Sequence, residues 1–203
     1  MGTKGRVCGV VTSCMMLNGN SLHVMAKPSS VPCGQMARLP WMSKRRPREV
    51  LHWTVLPEAP EDQAWPIETI LHVLAALDAA PFTLVFDRAK GQRGGTAEIV
   101  CRRTPRLAGL LVRTLLADFA RAGLERKRKA RPHVTLDYAW QGEDFDTPIE
   151  PIVWEVDRLL LIESVTGKSQ HVGHGEWPLV PRQGTLFPLR SCDREAAGLV
   201  MGL

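Results

Sequence analysis

Two short stretches, "LHWTVL" at 51–56 and "PHVTLDY" at 132–138, share one arrangement: histidine, apolar residue, threonine, apolar residue. On an extended strand, positions i and i+2 point to the same face. His52 and Thr54 therefore project together, as do His133 and Thr135, while Trp53, Val55, Val134 and Leu136 face the other way. With 12 threonines in 203 residues and a 44% hydrophobic fraction, any one histidine starts such a run by chance in roughly 1% of cases. Two runs among six histidines come to roughly 0.2%. The chain must therefore form two strands that each bury one face and present an imidazole and a hydroxyl on the other. Either these are hydrogen-bonded polar pairs at sheet edges, or they are chemical machinery.

The surrounding pattern mixes helices with strands. Strands are expected over 50–56, 82–87 and 96–103, at the second signature, over "IEPIVWEVDRLLLIES" as one long strand, and over "HVGHGEWPLV". One helix opens at Pro66, carries Ile67, Ile70, Leu71, Leu74 and Leu77 at helical spacing, and stops near Pro81. A second, capped by Thr104 with Pro105 in its first turn, carries Leu107, Leu110, Leu111, Leu115, Phe119 and Ala122 and ends at Gly123. The glycines of "GQRGG" suggest a hairpin loop. The first 48 residues yield little: "RVCGVVTSC" is a poor strand candidate and "AKPSSVPCGQMARLPWMSKRRPRE" reads as a loop or linker. Too few strand-helix-strand repeats occur for a doubly wound sheet, so the expected class is α+β with mostly antiparallel sheets and helices outside.

Bulk properties narrow the setting. No apolar run reaches the roughly 18 to 20 residues of a membrane helix, so a soluble chain is expected. Cys8, Cys14, Cys33, Cys101 and Cys192 are odd in number and contain no C-x-x-C pair, which suits a reducing cytoplasm. "VTSC" at 11–14 resembles a lipoprotein cleavage box, but the apolar stretch before it is shorter than a signal core of about 7 residues or more. The net charge is +5. It is concentrated in one run, Arg121, Arg126, Lys127, Arg128, Lys129 and Arg131 against Glu125. That run is either a solvated helix end or an attractor for a polyanion.

Taken together, "LHWTVL" and "PHVTLDY", followed by "PIVWEV", "LLIESVTGKSQH" and "EWPL", resemble the two-histidine phosphoesterase superfamily. The resemblance is to its 2'-5' RNA ligase and RNA 2',3'-cyclic phosphodiesterase branch and covers about residues 50–180. It implies a single bilobed domain over 1–203, with 1–48 atypical and 49–203 best matched, whose two pseudo-twofold related lobes face each other across a central groove. Where the family tends to have Leu-Gly after the first signature, this chain has Leu56 and Pro57. Where it often has an aromatic residue before the second, this chain has Ala130.

The resemblance further implies a metal-independent phosphodiesterase that opens an RNA or nucleoside 2',3'-cyclic phosphate to a 2'-phosphate, with an accompanying capacity for 2'-5' ligation. His52 and His133 are the implied acid and base, in an order the sequence does not assign. Thr54 and Thr135 would donate to the non-bridging oxygens, and Arg131 is the candidate for steering the phosphate. No cofactor or metal is expected, the partner is RNA or a cyclic nucleotide rather than a membrane, and a monomer is the working expectation. Asp137, on the face of His133, would tune that ring or be solvated, and Trp53 is a core residue. "TGKS" at 166–169 lacks the glycine and helix of a phosphate loop, and His171 and His174 lack further ligands for a metal and read instead as strand or turn residues. The rival readings are a non-catalytic RNA-binding module and a phosphodiesterase for another cyclic phosphate.

Overall fold

The structure is a computed structural model and describes residues 21–56, 67–124, 131–165, 168 and 170–180. The elements run β1 (Ser21–Ala26), α1 (Ser30–Ala37), β2 (Trp53–Leu56), α2 (Ile67–Ala75), β3 (Phe82–Gly91), β4 (Ala97–Val100), α3 (Arg106–Arg121), β5 (His133–Asp137), β6 (Phe145–Val156), β7 (Arg158–Val165) and β8 (Gln170–Pro178). They form two four-stranded sheets, ordered β2-β1-β7-β8 and β5-β4-β3-β6, and every pairing is antiparallel. The α+β class expected from the sequence is the one observed. Both signature strands, β2 and β5, lie at an edge of their sheets.

Alternation decides what each strand buries. Along β3, Phe82, Leu84 and Phe86 point inward, and Thr83 and Val85 are exposed. Phe86 stacks on Trp154 of β6 with ring centroids 6.1 Å apart. Trp53 of β2 meets Phe82 of the other sheet edge-on at 6.1 Å, so the inner faces of both sheets share one apolar cluster. Trp53 is thus the core residue it was expected to be. Burying such faces is the main favourable term in the fold.

Four local expectations need correction. The segment read as loop or linker holds α1, and the unassigned "SLHVMA" is β1, the strand that pairs β2 on one side and β7 on the other. Six alternating residues with a histidine among them were too short a signal. The long strand read through "IEPIVWEVDRLLLIES" is two strands in different sheets, because the chain turns at Asp157 and crosses from β6 to β7. The Asp157 carbonyl accepts from the Leu179 amide at 2.7 Å, which ties down this corner.

In α3 the buried stripe is Ala108, Leu111, Val112, Leu115 and Phe119, whereas Leu107 and Leu110 are exposed. Periodicity found the helix and placed Leu111, Leu115 and Phe119 on its inward face, but it added Leu107 and Leu110 to that face and missed Ala108 and Val112. Pro105 is the N-cap of α3, and no side chain caps it, so Thr104 does not play that part. Gly123 does end α3 as expected: its φ of 77° is left-handed, and the Leu124 amide reaches back to the Phe119 carbonyl at 2.8 Å. "RVCGVVTSC", "VTSC" and most of the basic run lie outside the described residues. Among the described residues, no helix is long and apolar enough to cross a membrane.

Trp154 is 1% exposed and braces both β3 and the sheet's inner face. Trp154→Ala is expected to cost about 3 to 5 kcal/mol of stability, read from the denaturant midpoint at an unchanged slope. A loss below about 1 kcal/mol would contradict this packing.

Candidate functional site

β2 and β5 come from different sheets, yet their backbones approach within 8 Å, so the two signatures meet where the two sheet edges face each other. His52 stands immediately before β2, and His133 is the first residue of β5. Each ring makes the same contact. His52 Nδ1 lies 2.7 Å from the Val50 carbonyl oxygen, and His133 Nδ1 lies 3.0 Å from that of Arg131. A carbonyl only accepts, so Nδ1 must carry the proton in both rings. In the neutral form that leaves Nε2 with its lone pair, on both sides, free to take a proton.

The threonines complete the twin arrangement. Thr54 and Thr135 are both 9% exposed and are the buried polar side chains among the described residues. Thr54 pairs with Met25 of β1, and Thr135 with Glu98 of β4, so each is held by a strand on its inner side.

Around His52 the structure gathers groups that the sequence did not single out. His171 of β8 meets His52 edge-on, with ring centroids 5.2 Å apart. Arg46, from the loop before β2, donates from Nη2 to the same Val50 carbonyl at 3.3 Å and lays its guanidinium 4.5 Å over the Tyr138 ring. It thereby links the residues just ahead of the first signature to the residue just after β5. Burial pushes the His52 imidazole down to about 3. The bond to Val50 opposes that shift, and Arg46, His171 and His23 add to it. Burial likewise takes His171 down to about 4, helped by Lys27, Arg46 and His23. His171 Nδ1 has no hydrogen-bond partner and no solvent, so a doubly protonated ring would bury an unpaired N–H, which works in the same direction.

The remaining sequence candidates fall as follows. Arg131 adjoins the site through its carbonyl, and the residue itself is exposed. Asp137 accepts from the Ala139 amide at 2.9 Å and so shapes the turn after β5. His174 pairs with Glu163 at 2.9 Å. Of "TGKS", only Lys168 is described, in a turn. No group of three or more metal-ligating side chains occurs among the described residues. His171, expected to have a strand or turn role rather than to bind metal, does lie in β8, and its ring rests against His52, a contact the sequence did not show. Alternation within "SLHVMA" offered a faint signal for His23, and nothing in the sequence could show where the Arg46 loop turns.

No family model and no curated protein matches this chain. Its fold is nonetheless that of solved phosphoesterases. Escherichia coli LigT complexed with 3'-AMP superposes with a TM-score of 0.65 at 18% identity, over 80% of this chain and 99% of that one. A crystal structure described as a phosphoesterase gives 0.65 at 20% identity with the same coverage. TT0787 of Thermus thermophilus gives 0.61 at 15%, again over 80% and 99%. The chain therefore has the LigT-like fold. LigT itself has also been crystallised with NADP+, ATP and phosphate.

The lowered His52 and His171 values carry a signed consequence for stability. In the unfolded chain both rings protonate near ~6.5, whereas in the fold they do so only near 3 and 4. Between those limits the unfolded state binds more protons, so stability falls as pH drops from about 6.5 and levels off below the folded values. Thermal melts from pH 7 to pH 4 should show a shallower decline for His171→Gln than for the parent chain. Parallel declines would rule the assignment out.

Proposed function

We propose that this chain is a metal-independent phosphodiesterase of the two-histidine phosphoesterase superfamily, opening a nucleoside or RNA 2',3'-cyclic phosphate to the 2'-phosphate. The observation that carries this reading is the matched pair of Nδ1-to-carbonyl bonds, which sets both imidazoles in one tautomer at two sheet edges that meet. In-line displacement at phosphorus needs a base on one side and an acid on the other. His52, kept neutral by burial, suits the base: its Nε2 takes the proton of water as the water oxygen bonds to phosphorus. His133 enters the step as the imidazolium, its Nδ1 proton still donated to the Arg131 carbonyl, and gives its Nε2 proton to the departing ribose 3' oxygen as that P–O bond breaks. Solvent resets both rings between turnovers.

Thr54 and Thr135 donate to the non-bridging oxygens, where charge must be held through the transition state. Arg46 joins Arg131 as a phosphate-holding group, since its guanidinium is anchored between the two signatures. With a 5' hydroxyl in place of water the same pair would form a 2'-5' phosphodiester. The unpaired Cys33 and Cys101 fit a reducing cytoplasm, where RNA ends of this kind would be met.

Incubation with a nucleoside 2',3'-cyclic phosphate in the presence of chelator should yield the 2'-phosphate. His52→Ala and His133→Ala should each reduce the rate by about 10² or more, and the double variant should lose little further. Tight binding of RNA without turnover would instead make the chain a binding module. Loss of activity on chelation would exclude the two-histidine mechanism.

A further inference from the structure

We propose that the groove holds a second phosphate beside the one cleaved, on Lys27, His171 and Arg46, so that the substrate is a nucleotide bearing another phosphate besides its 2',3'-cyclic one. The inference rests on the phosphodiesterase reading and names the substrate class of that same site. Three separate parts of the chain converge here: Lys27 directly follows β1, Arg46 precedes β2, and His171 lies near the start of β8. His171 is the middle member. Its ring touches His52, and the charges of Lys27 and Arg46 both act on it.

The charge balance of this corner is one-sided. The groups acting on His52 are Arg46, His171 and His23, and those acting on His171 are Lys27, Arg46 and His23. No carboxylate is among them. Lys27 itself faces the Cys33 thiol and Glu49, but Glu49 is exposed and bonded to Arg48 at 3.0 Å. A cyclic phosphodiester carries a single negative charge, which Arg131 alone can match, so Arg46 is available to a second phosphate. Lys27 is left over as well, and a partly buried cation is costly unless an anion accompanies it.

The polar atoms agree. Arg46 Nε and His171 Nδ1 are shut away from solvent and have no hydrogen-bond partner. With no acceptor at Nδ1, His171 places its proton on Nε2, where it can donate to a phosphate oxygen while the ring stays neutral. A terminal 5'-phosphate and the internucleotide phosphate of an RNA end present the same chemistry to such a subsite.

The experiment compares kcat/KM at low ionic strength for a nucleoside 2',3'-cyclic phosphate, for its 5'-phosphorylated form and for a dinucleotide ending in a 2',3'-cyclic phosphate. One or both phosphate-bearing substrates should be preferred by at least about tenfold. That preference should shrink to within about twofold in Lys27→Gln and persist in Lys27→Arg. A gain confined to the 5'-phosphorylated form identifies a terminal phosphate, and one confined to the dinucleotide an internucleotide phosphate. A preference near one in the parent chain, or one unchanged in Lys27→Gln, overturns the subsite and leaves the phosphodiesterase reading standing. If no substrate turns over, that reading fails, and calorimetric titration with inorganic pyrophosphate decides the subsite. A Kd at least about tenfold weaker in Lys27→Gln sustains the subsite, and an equal Kd overturns it.

Discussion

One short hydrogen bond, made twice, organises this molecule's candidate chemistry: an imidazole Nδ1 donating to the main-chain carbonyl two residues upstream, at the point where a strand begins. A histidine at a strand entrance has a ring free to rotate and two possible neutral tautomers. The carbonyl removes both freedoms, because it accepts and cannot donate. Val50 is itself buried, so its carbonyl belongs to the packed frame, and the exposed Arg131 is tied to that frame by buried Pro132, whose carbonyl accepts from the Cys101 amide at 3.2 Å. Each ring thereby inherits the rigidity of a sheet edge.

That rigidity comes with an electrostatic tension. His52 is sunk where burial, Arg46, His171 and His23 resist its protonation and only the bond to Val50 favours it, and Arg46 brings a permanent charge into the same corner. The arrangement is poor for a protein with nothing bound and good for one that receives an anion, because the anion neutralises the arginine and makes a protonated imidazole easier to form. Proton acceptance by His52 would then be coupled to occupancy: the ring is hardest to charge when no anion is bound beside it. Burial and ligand charge act in opposite directions on the same nitrogen.

Sequence revealed the parts of the site that obey strand periodicity and missed those that do not. His52, Thr54, His133 and Thr135 were legible because a two-residue repeat fixes which side chains share a face. Arg46 was not, because it lies in a loop rich in proline and arginine whose path depends on what it packs against, here the Tyr138 ring and the Val50 carbonyl. His171 was legible as a strand or turn residue, which it is in β8, but not its contact with His52, because that contact comes from elements far apart in sequence. For the fold, long periodic elements such as α3 were found, whereas β1 was not: six residues flanked by unreadable chain acquire their strand identity from pairing with β2 and β7. The change of sheet at Asp157 was hidden for a related reason, because an unbroken apolar pattern continues through it.

The position of β1 also sets the order in which the chain can mature. Val24 pairs with Leu161, so the sheet carrying the first signature has a central partner that arrives only late in synthesis. The other sheet, β3 to β6, is contiguous in sequence and closes on itself much earlier. The N-terminal strands must therefore wait, edge exposed, while the ribosome delivers β7, and such long-range pairing slows folding and lengthens the period open to aggregation. A nascent chain released before residue 158 would hold one finished half and one orphaned half, and the orphan would be the one bearing His52.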